Sequence, residues 1–388
     1  MENQEEKASL CALNRIFGFE PKKAIALISA FGNASNVFRL GKDELENILG
    51  PYSRHAGMIA PKSLEEAAKE LETLEKQGIQ FSGWTEETYP SLLKDCPDAP
   101  IGLYIRSSTP DADLFSAKRK IAVIGTRDLS SYGREWCEKI IQTLADSGEK
   151  PLIVSGLALG TDICAHKAAL EAGLPTIGVM ATGPESIYPH RNRDTALRMT
   201  ETPLCGLITD YPPGTVPLAI HFLRRNRIIA GLTEATILIE SRIKGGGMMT
   251  SRLAFSYGRE VYALPGRVDD ICSSGCNRLL RDKIAEPLTS PADLMDSLSM
   301  KYIAKSKGIP IETRLEDIFG TDISKEELQA MKDLLPNIRK NRGITIEELS
   351  YMAGMSYRLT FQTCSRMESE GIISTDLLQR CSIIDKKH

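Results

Sequence analysis

The chain has 388 residues, 42% hydrophobic and 26% charged, with a formal net charge of -3 at pH 7. This composition supports a sizeable core and excludes a disordered chain and a globally basic nucleic-acid binder, while leaving room for a local basic patch. No apolar run approaches the ~18 residues of a membrane span, and the acidic, polar opening has none of the basic-then-apolar order of a signal peptide.

The first piece, residues 1–85, reads as helical. Helices are predicted over Glu6–Phe17, Pro21–Phe31, Lys42–Leu49 and Lys62–Gln77. The last carries Leu64, Ala67, Ala68, Leu71 and Leu74 at three-to-four spacing, one face of a helix. The turn Phe17-Gly18-Phe19-Glu20-Pro21 fits either a helix-hairpin-helix, whose backbone N–H groups grip phosphate, or a plain helical bundle. Its 10 Lys/Arg against 12 Asp/Glu give no electrostatic footprint for DNA. Pro90, Pro97, Pro100 and Pro110 then punctuate a connector read as irregular.

The second piece alternates apolar runs with helical patterns. Strands are predicted at Ile121–Ile124, Leu152–Val154, Thr176–Met180, Gly206–Thr209, Ala235–Glu240 and Val261–Leu264. Most are continuous rather than alternating, as strands buried on both faces of a parallel sheet are. Strand, crossover and strand repeated this way predict an α/β, doubly wound parallel sheet, with ligands beyond the carboxyl ends of the strands.

Those ends carry the candidate binding residues. The first gives Gly125-Thr126-Arg127. The second gives Ser155, Gly156 and Gly160 in a turn toward a helix carrying Lys167. The third leads to Tyr188-Pro189-His190-Arg191-Asn192-Arg193. The segment His221–Leu232 holds Phe222, Arg225, Asn226 and Arg227, read as cations at a helix N-terminus beside a base-stacking aromatic. Beyond the fifth strand come Lys244, Gly246 and Thr250 in a glycine-rich loop suited to cradling phosphate. Asn277 follows the sixth, in a further turn into a helix. Residues 221–283 carry 11 Lys/Arg and 6 Asp/Glu, so the basic surplus gathers at one end of one domain. Several arginines and an aromatic fed by separate loops suit a chain of phosphates better than one small metabolite.

Neither G-x-G-x-x-G nor G-x-x-x-x-G-K-[ST] is present, so the dinucleotide and ATPase fingerprints fail. There is no nucleophile elbow and no paired carboxylate at a strand end. Glu240 reads as a hydrogen-bonding group or a partner for an arginine. Nine cysteines without a C-x-x-C pair read as reduced thiols of a cytoplasmic protein. Five scattered histidines suggest no metal, and no cofactor is expected.

The third piece, 325–388, reads as helices Lys325–Arg339, Thr345–Ala353 and Tyr357–Glu370, then short strands near Gly371–Ile373 and Ser382–Ile384. That is the winged-helix order. Its 10 Lys/Arg against 9 Asp/Glu leave protein contact and a weak DNA role equally open.

Gly125-Thr126-Arg127, Ser155-Gly156-Leu157-Ala158-Leu159-Gly160-Thr161-Asp162, the stretch Phe222 to Leu232, and Gly258-Arg259 through Pro265-Gly266 to Gly275-Cys276-Asn277 keep a characteristic order and spacing. Over about 90–298 they resemble the DprA/Smf family of bacterial DNA-processing proteins. The resemblance implies a Rossmann-like core over 90–300 binding single-stranded DNA, flanked by a SAM-like helical domain over 1–85 and a winged helix over 325–388. It implies a homodimer formed through the core and loading of the RecA recombinase during natural transformation or recombination, without catalysis. It maps pocket arginines onto Arg127, Arg225 and Arg227 and a stacking aromatic onto Phe222. One departure is Gly245–Ser251, where the family reads Ser-Gly-x-Leu-x-Thr-Ala. The alternative is an enzyme of the phosphoribohydrolase (lysine-decarboxylase-like) type, whose motif needs a glutamate that Met249–Ala254 lacks. A third reading is a winged-helix regulator that senses a nucleotide.

Overall fold

The computed structural model describes residues 2–301, 315, 318–319, 323–341, 343–376 and 378–383. The chain divides into two compact units, Met1–Ile303 and Ala304–His388.

In the first unit, nine strands form one sheet. They are β1 (Ile79–Gly83), β2 (Gly102–Arg106), β3 (Lys120–Ile124), β4 (Leu152–Ser155), β5 (Thr176–Val179), β6 (Gly206–Thr209), β7 (Ala235–Leu238), β8 (Glu260–Ala263) and β9 (Glu286–Pro287). Their order is β1-β2-β6-β5-β4-β3-β7-β8-β9. From β6 to β9 every pairing is parallel. The fold class is thus α/β with a mostly parallel central sheet, and the six predicted strands are its β3 to β8.

The sequence reading missed the edges. The stretch taken as helix and irregular connector contains β1 and β2, which pair antiparallel with each other and attach to β6. Their signal is weak because glycines bound them, Gly83 at the end of β1 and Gly102 at the start of β2, and prolines flank β2. β1, inside the segment read as wholly helical, therefore belongs to the central sheet.

Alternation along the central strands sends side chains to two cores. Ala122, Ile124 and Val154 face helices Ala219–Leu232 and Gly246–Ser256. Ile121, Val123 and Ile153 face helices Ser131–Asp146 and Thr161–Glu171. The helices before β1 build a third core from Leu10, Leu13, Phe17 and Ile28, which closes on Phe81 of β1 and Tyr104 of β2. Tyr104 donates a 2.7 Å hydrogen bond to Glu70 on helix Pro61–Lys76.

The chain reverses its direction of growth at β3. From β3 to β6 it winds one way, then returns to place β7 on the free side of β3. Loops leaving β3 and β7 part at such a point, opening a crevice beyond the carboxyl ends.

In the second unit, helices Lys325–Lys340, Ile346–Ala353 and Tyr357–Ser369 pack with a three-stranded antiparallel sheet of Ile344–Thr345, Arg380–Ile383 and Ile373–Thr375. Capping boxes fix two of the helix starts, Ser324 with Glu327 and Thr345 with Glu348.

Candidate nucleic-acid interface

The crevice at the sheet reversal is a cleft of about 700 Å³. Its walls come from Gly125, Thr126 and Arg127 after β3, Ala158 and Asp162 after β4, and the loop Ser241–Gly247 after β7. Tyr188 and helix Ala219–Leu232 complete it.

Two glycines set the geometry. Gly160 has a φ of 76°, and a Cβ there would lie 2.3 Å from the Thr126 carbonyl oxygen and 2.6 Å from the Arg127 backbone. This close approach presses the turn after β4 against the loop that carries Arg127. At Gly156 a Cβ would lie 2.5 Å from the Arg225 guanidinium.

Arg127 is exposed, with its guanidinium carbon 5.5 Å from the Phe222 ring centroid. The Phe222 ring in turn lies 5.6 Å from that of Tyr188, at an interplanar angle of 56°. One cation and two aromatic rings therefore face the cleft together. Two helices begin at the cleft, Gly246–Ser256 after Gly245 and Ala219–Leu232, which carries Phe222, after Leu218, both without a side-chain cap. In each first turn one N–H, of His221 or Met248, donates to the capping residue's carbonyl, and the N–H groups before it offer partial positive charge. Exposed Lys244 and Arg242 line the same mouth, Arg242 reaching Asp128 at 3.8 Å. The cleft thus brings cations and backbone N–H groups, which can take anions, together with aromatic rings, which can take flat apolar groups.

The arginine run has a different role from the one expected. Helix Ala219–Leu232 begins five residues before Arg224, so these cations sit within it rather than at its positive end. Arg224 donates to the carbonyls of Gly18 at 2.5 Å and Phe19 at 3.1 Å. Arg225 is buried beneath the cleft and donates to the carbonyls of Gly156, at 2.5 Å, and Val179. Burial pulls its pKa down to about 10, against the opposing charge of Asp162. Burial likewise pushes the Asp162 carboxyl up, opposed by Arg225 and by the Ala158 N–H. Arg227 is buried away from the cleft, ion-paired with Asp210 and donating to the Asp98 carbonyl. Neither Arg225 nor Arg227 is a free phosphate hook. A run of arginines in sequence cannot show that successive helix positions point to different neighbours.

Other expected residues are placed as follows. Asn226, Gly246 and Thr250 line the cleft with Arg127, Phe222 and Lys244, and buried Arg225 forms part of its floor. Ser155 is fully buried and donates 2.6 Å to the Val123 carbonyl, so it ties β4 to β3. Gly156 gives its carbonyl to Arg225. Asn277 clamps the loop after β8, donating 3.0 Å to the Gly266 carbonyl and accepting from the Gly266 N–H. Lys167, Arg191 and Arg193 are exposed, outside the cleft lining. Tyr188 and Arg242 were not among the chosen binding residues. The signal for each was its place directly after a strand-end turn.

Glu240 is fully buried, and its carboxylate accepts from both the Ser130 N–H, at 3.0 Å, and the Ser130 hydroxyl. Ser130 caps helix Ser131–Asp146 by accepting from the Gly133 N–H. Glu240 therefore fixes a helix start rather than facing a substrate. Among the described residues no cluster of His, Cys, Asp or Glu is arranged to hold a metal, and no helix is long and apolar enough to cross a membrane.

Residues 80–299 match the family described as DNA recombination-mediator protein A. The chain is 35% identical over 233 residues to the DNA processing protein DprA of Bacillus subtilis, covering 60% of this chain and 76% of the relative. It is also 35% identical over 254 residues to DprA of Streptococcus pneumoniae, covering 64% and 86%. Among solved structures, DprA from Streptococcus pneumoniae superposes with a TM-score of 0.62 at 29% identity, over 78% of this chain and 97% of that one. DprA from Helicobacter pylori, whose structure is described as giving insight into a unique single-stranded DNA binding mode, matches with a TM-score of 0.50 at 29% identity, over 57% and 96%.

Proposed function

Because the chain belongs to the DprA/Smf family of DNA recombination-mediator proteins, we propose that its cleft binds single-stranded DNA with little base specificity, in DNA processing for transformation or recombination. The observation that carries this reading is the Arg127–Phe222–Tyr188 cluster sharing one cleft with exposed Lys244 and the glycine-rich start of helix Gly246–Ser256. Phosphates meet Arg127, Lys244 and the backbone of the Gly245–Gly247 loop, while bases lie on the aromatic rings, whose faces accept any base.

The family membership extends the proposal to a homodimer built on the α/β core and to delivery of the bound strand to RecA. The second unit is read as a winged helix, supported by its order of helix, short strand, helix, helix and strand pair. The protein acts here as a binding protein rather than an enzyme. Of the two acids well placed in sequence, Glu240 is committed to Ser130 and Asp162 is buried against the Arg225 charge, and Met249–Ala254 lacks the glutamate of the phosphoribohydrolase motif.

The test is titration of the full chain against single-stranded and duplex DNA of equal length at several salt concentrations. Preference for the single strand and a steep loss of affinity with salt are expected, because each neutralised phosphate releases counterions. Equal affinity for duplex, or affinity independent of salt, would overturn the reading.

A further inference from the structure

We infer that the turn at Phe19, with the adjoining loop 50–55, is a second contact for single-stranded nucleic acid, lengthening the path of a strand that leaves the cleft. The inference rests on the reading of the cleft given above. The Phe19 ring is 53% exposed, with the Arg224 guanidinium carbon 3.9 Å from its centroid. Arg224 also holds the turn through the Gly18 and Phe19 carbonyls, so the ring is fixed and backed by a cation. The neighbouring loop is seated by His55, whose ring stacks 4.6 Å from Phe17 and whose Nε2 lies 3.3 Å from Glu20.

Charge and continuity select the occupant. The turn and loop bring exposed Lys22, Lys23 and Arg54 together with one acid, Glu20, which is paired to Lys23 at 2.9 Å. Tyr52, 98% exposed, adds a second ring on the loop. The balanced charge of residues 1–85 conceals this local excess. Helix Ala219–Leu232 connects the two places. At about 100° per residue, Phe222, Leu223, Ile220 and Arg224 follow one another around it. Phe222 lies in the cleft, Leu223 and Ile220 are exposed, and Arg224 underlies Phe19. A strand crossing this surface meets an aromatic ring beside a cation at each end. That alternation suits bases and phosphates rather than an apolar partner.

The test uses the full chain and oligothymidylates of roughly 4 and roughly 20 nucleotides, spanning the ~4–16 nucleotides that one binding module covers. The double variant Lys22→Glu/Arg54→Glu is expected to weaken binding of the longer strand about fivefold or more, or ~1 kcal/mol, and to flatten its salt dependence. Binding of the shorter strand stays unchanged. Phe19→Trp fluorescence is expected to be quenched by the longer strand only. Thermal melting verifies the fold of each variant. Unchanged long-strand affinity and salt slope in the double variant, equal weakening at both lengths, or an unquenched Phe19→Trp each overturns the inference. Arg127→Ala separates the two readings. If it weakens long-strand binding while the Phe19-side variants do nothing, only the second contact falls; if wild type binds neither strand, both readings fall.

Discussion

The guanidinium carbon of Arg127 lies 5.5 Å from the ring centroid of Phe222, although the two residues belong to a loop and a helix separated by most of the α/β core. The contact makes the cation and the aromatic surface a single recognition unit. It also leaves the Arg127 side chain exposed and available to a phosphate.

Replacing Arg127 by Ala is expected to weaken single-strand affinity by about 1–3 kcal/mol, the range for a charge-assisted hydrogen bond. The melting temperature should hardly move, because the side chain supports no buried partner. Fluorescence anisotropy and thermal melting on the same preparation check both halves.

Arg225→Ala should behave in the opposite way. Its loss leaves the carbonyls of Gly156 and Val179 without their donor and buried Asp162 without a compensating charge. Removing one member of such a buried set costs about 3–5 kcal/mol of stability. Sequence reasoning expects Arg225→Ala to leave folding intact, but the buried guanidinium makes it a folding variant. Denaturant unfolding measures the loss, and a stability equal to wild type would contradict the assignment.

Gly160→Ala is expected to reduce single-strand affinity without touching a ligand-facing group. The substitution strains a backbone at φ 76° and pushes a methyl against Thr126 and Arg127. The cost is about 1–3 kcal/mol, taken up by displacing the loop that presents Arg127. An anisotropy titration that matches wild type would show that the turn yields elsewhere.

His166 predicts an acid limit. Thr176 donates its hydroxyl to the Ile153 carbonyl at 3.0 Å, so the 2.8 Å contact with His166 requires Nδ1–H as donor. Nε2 then faces no partner in a buried site. Burial, aided by the Arg225 charge, lowers the histidine pKa to about 3. The unfolded chain takes up this proton near pH 6.5 while the folded chain does not. Stability from this group is therefore intact above pH 6.5 and is lost as pH falls toward 3, at up to about 1.4 kcal/mol per pH unit. Melting curves from pH 7.5 to 4.5 should fall more steeply for wild type than for His166→Gln.

The central sheet was legible because Ile121–Ile124, Thr176–Met180 and their neighbours are continuous apolar runs separated by helical patterns. β1 and β2 were not, because Gln80, Ser82 and the glycines Gly83 and Gly102 interrupt their apolar pattern and no helical crossover joins them. In the site, Arg127 and Phe222 were legible from their place at a strand end and a helix start. Ser155, Arg227 and Asn277 were misread for one physical reason. A polar residue in a turn or helix that follows a strand has the same sequence signature whether it serves a ligand or ties neighbouring segments together. Only the location of Val123, Asp210 and Gly266 tells the two apart.

Within four consecutive positions, Arg224, Arg225 and Arg227 reach partners that lie 206, 69 and 17 places away along the chain. Two of those partners are backbone carbonyls, which no point mutation can alter, and the third is one aspartate. For heredity, this short stretch cannot drift one residue at a time. Both carbonyls held by Arg225, of Gly156 and Val179, take their hydrogen bonds from one guanidinium nitrogen, Nη1, so the two contacts are lost together when that side chain changes. Only Arg227 and Asp210 can change as a pair. Descendants of this sequence should therefore keep its arginines as a block.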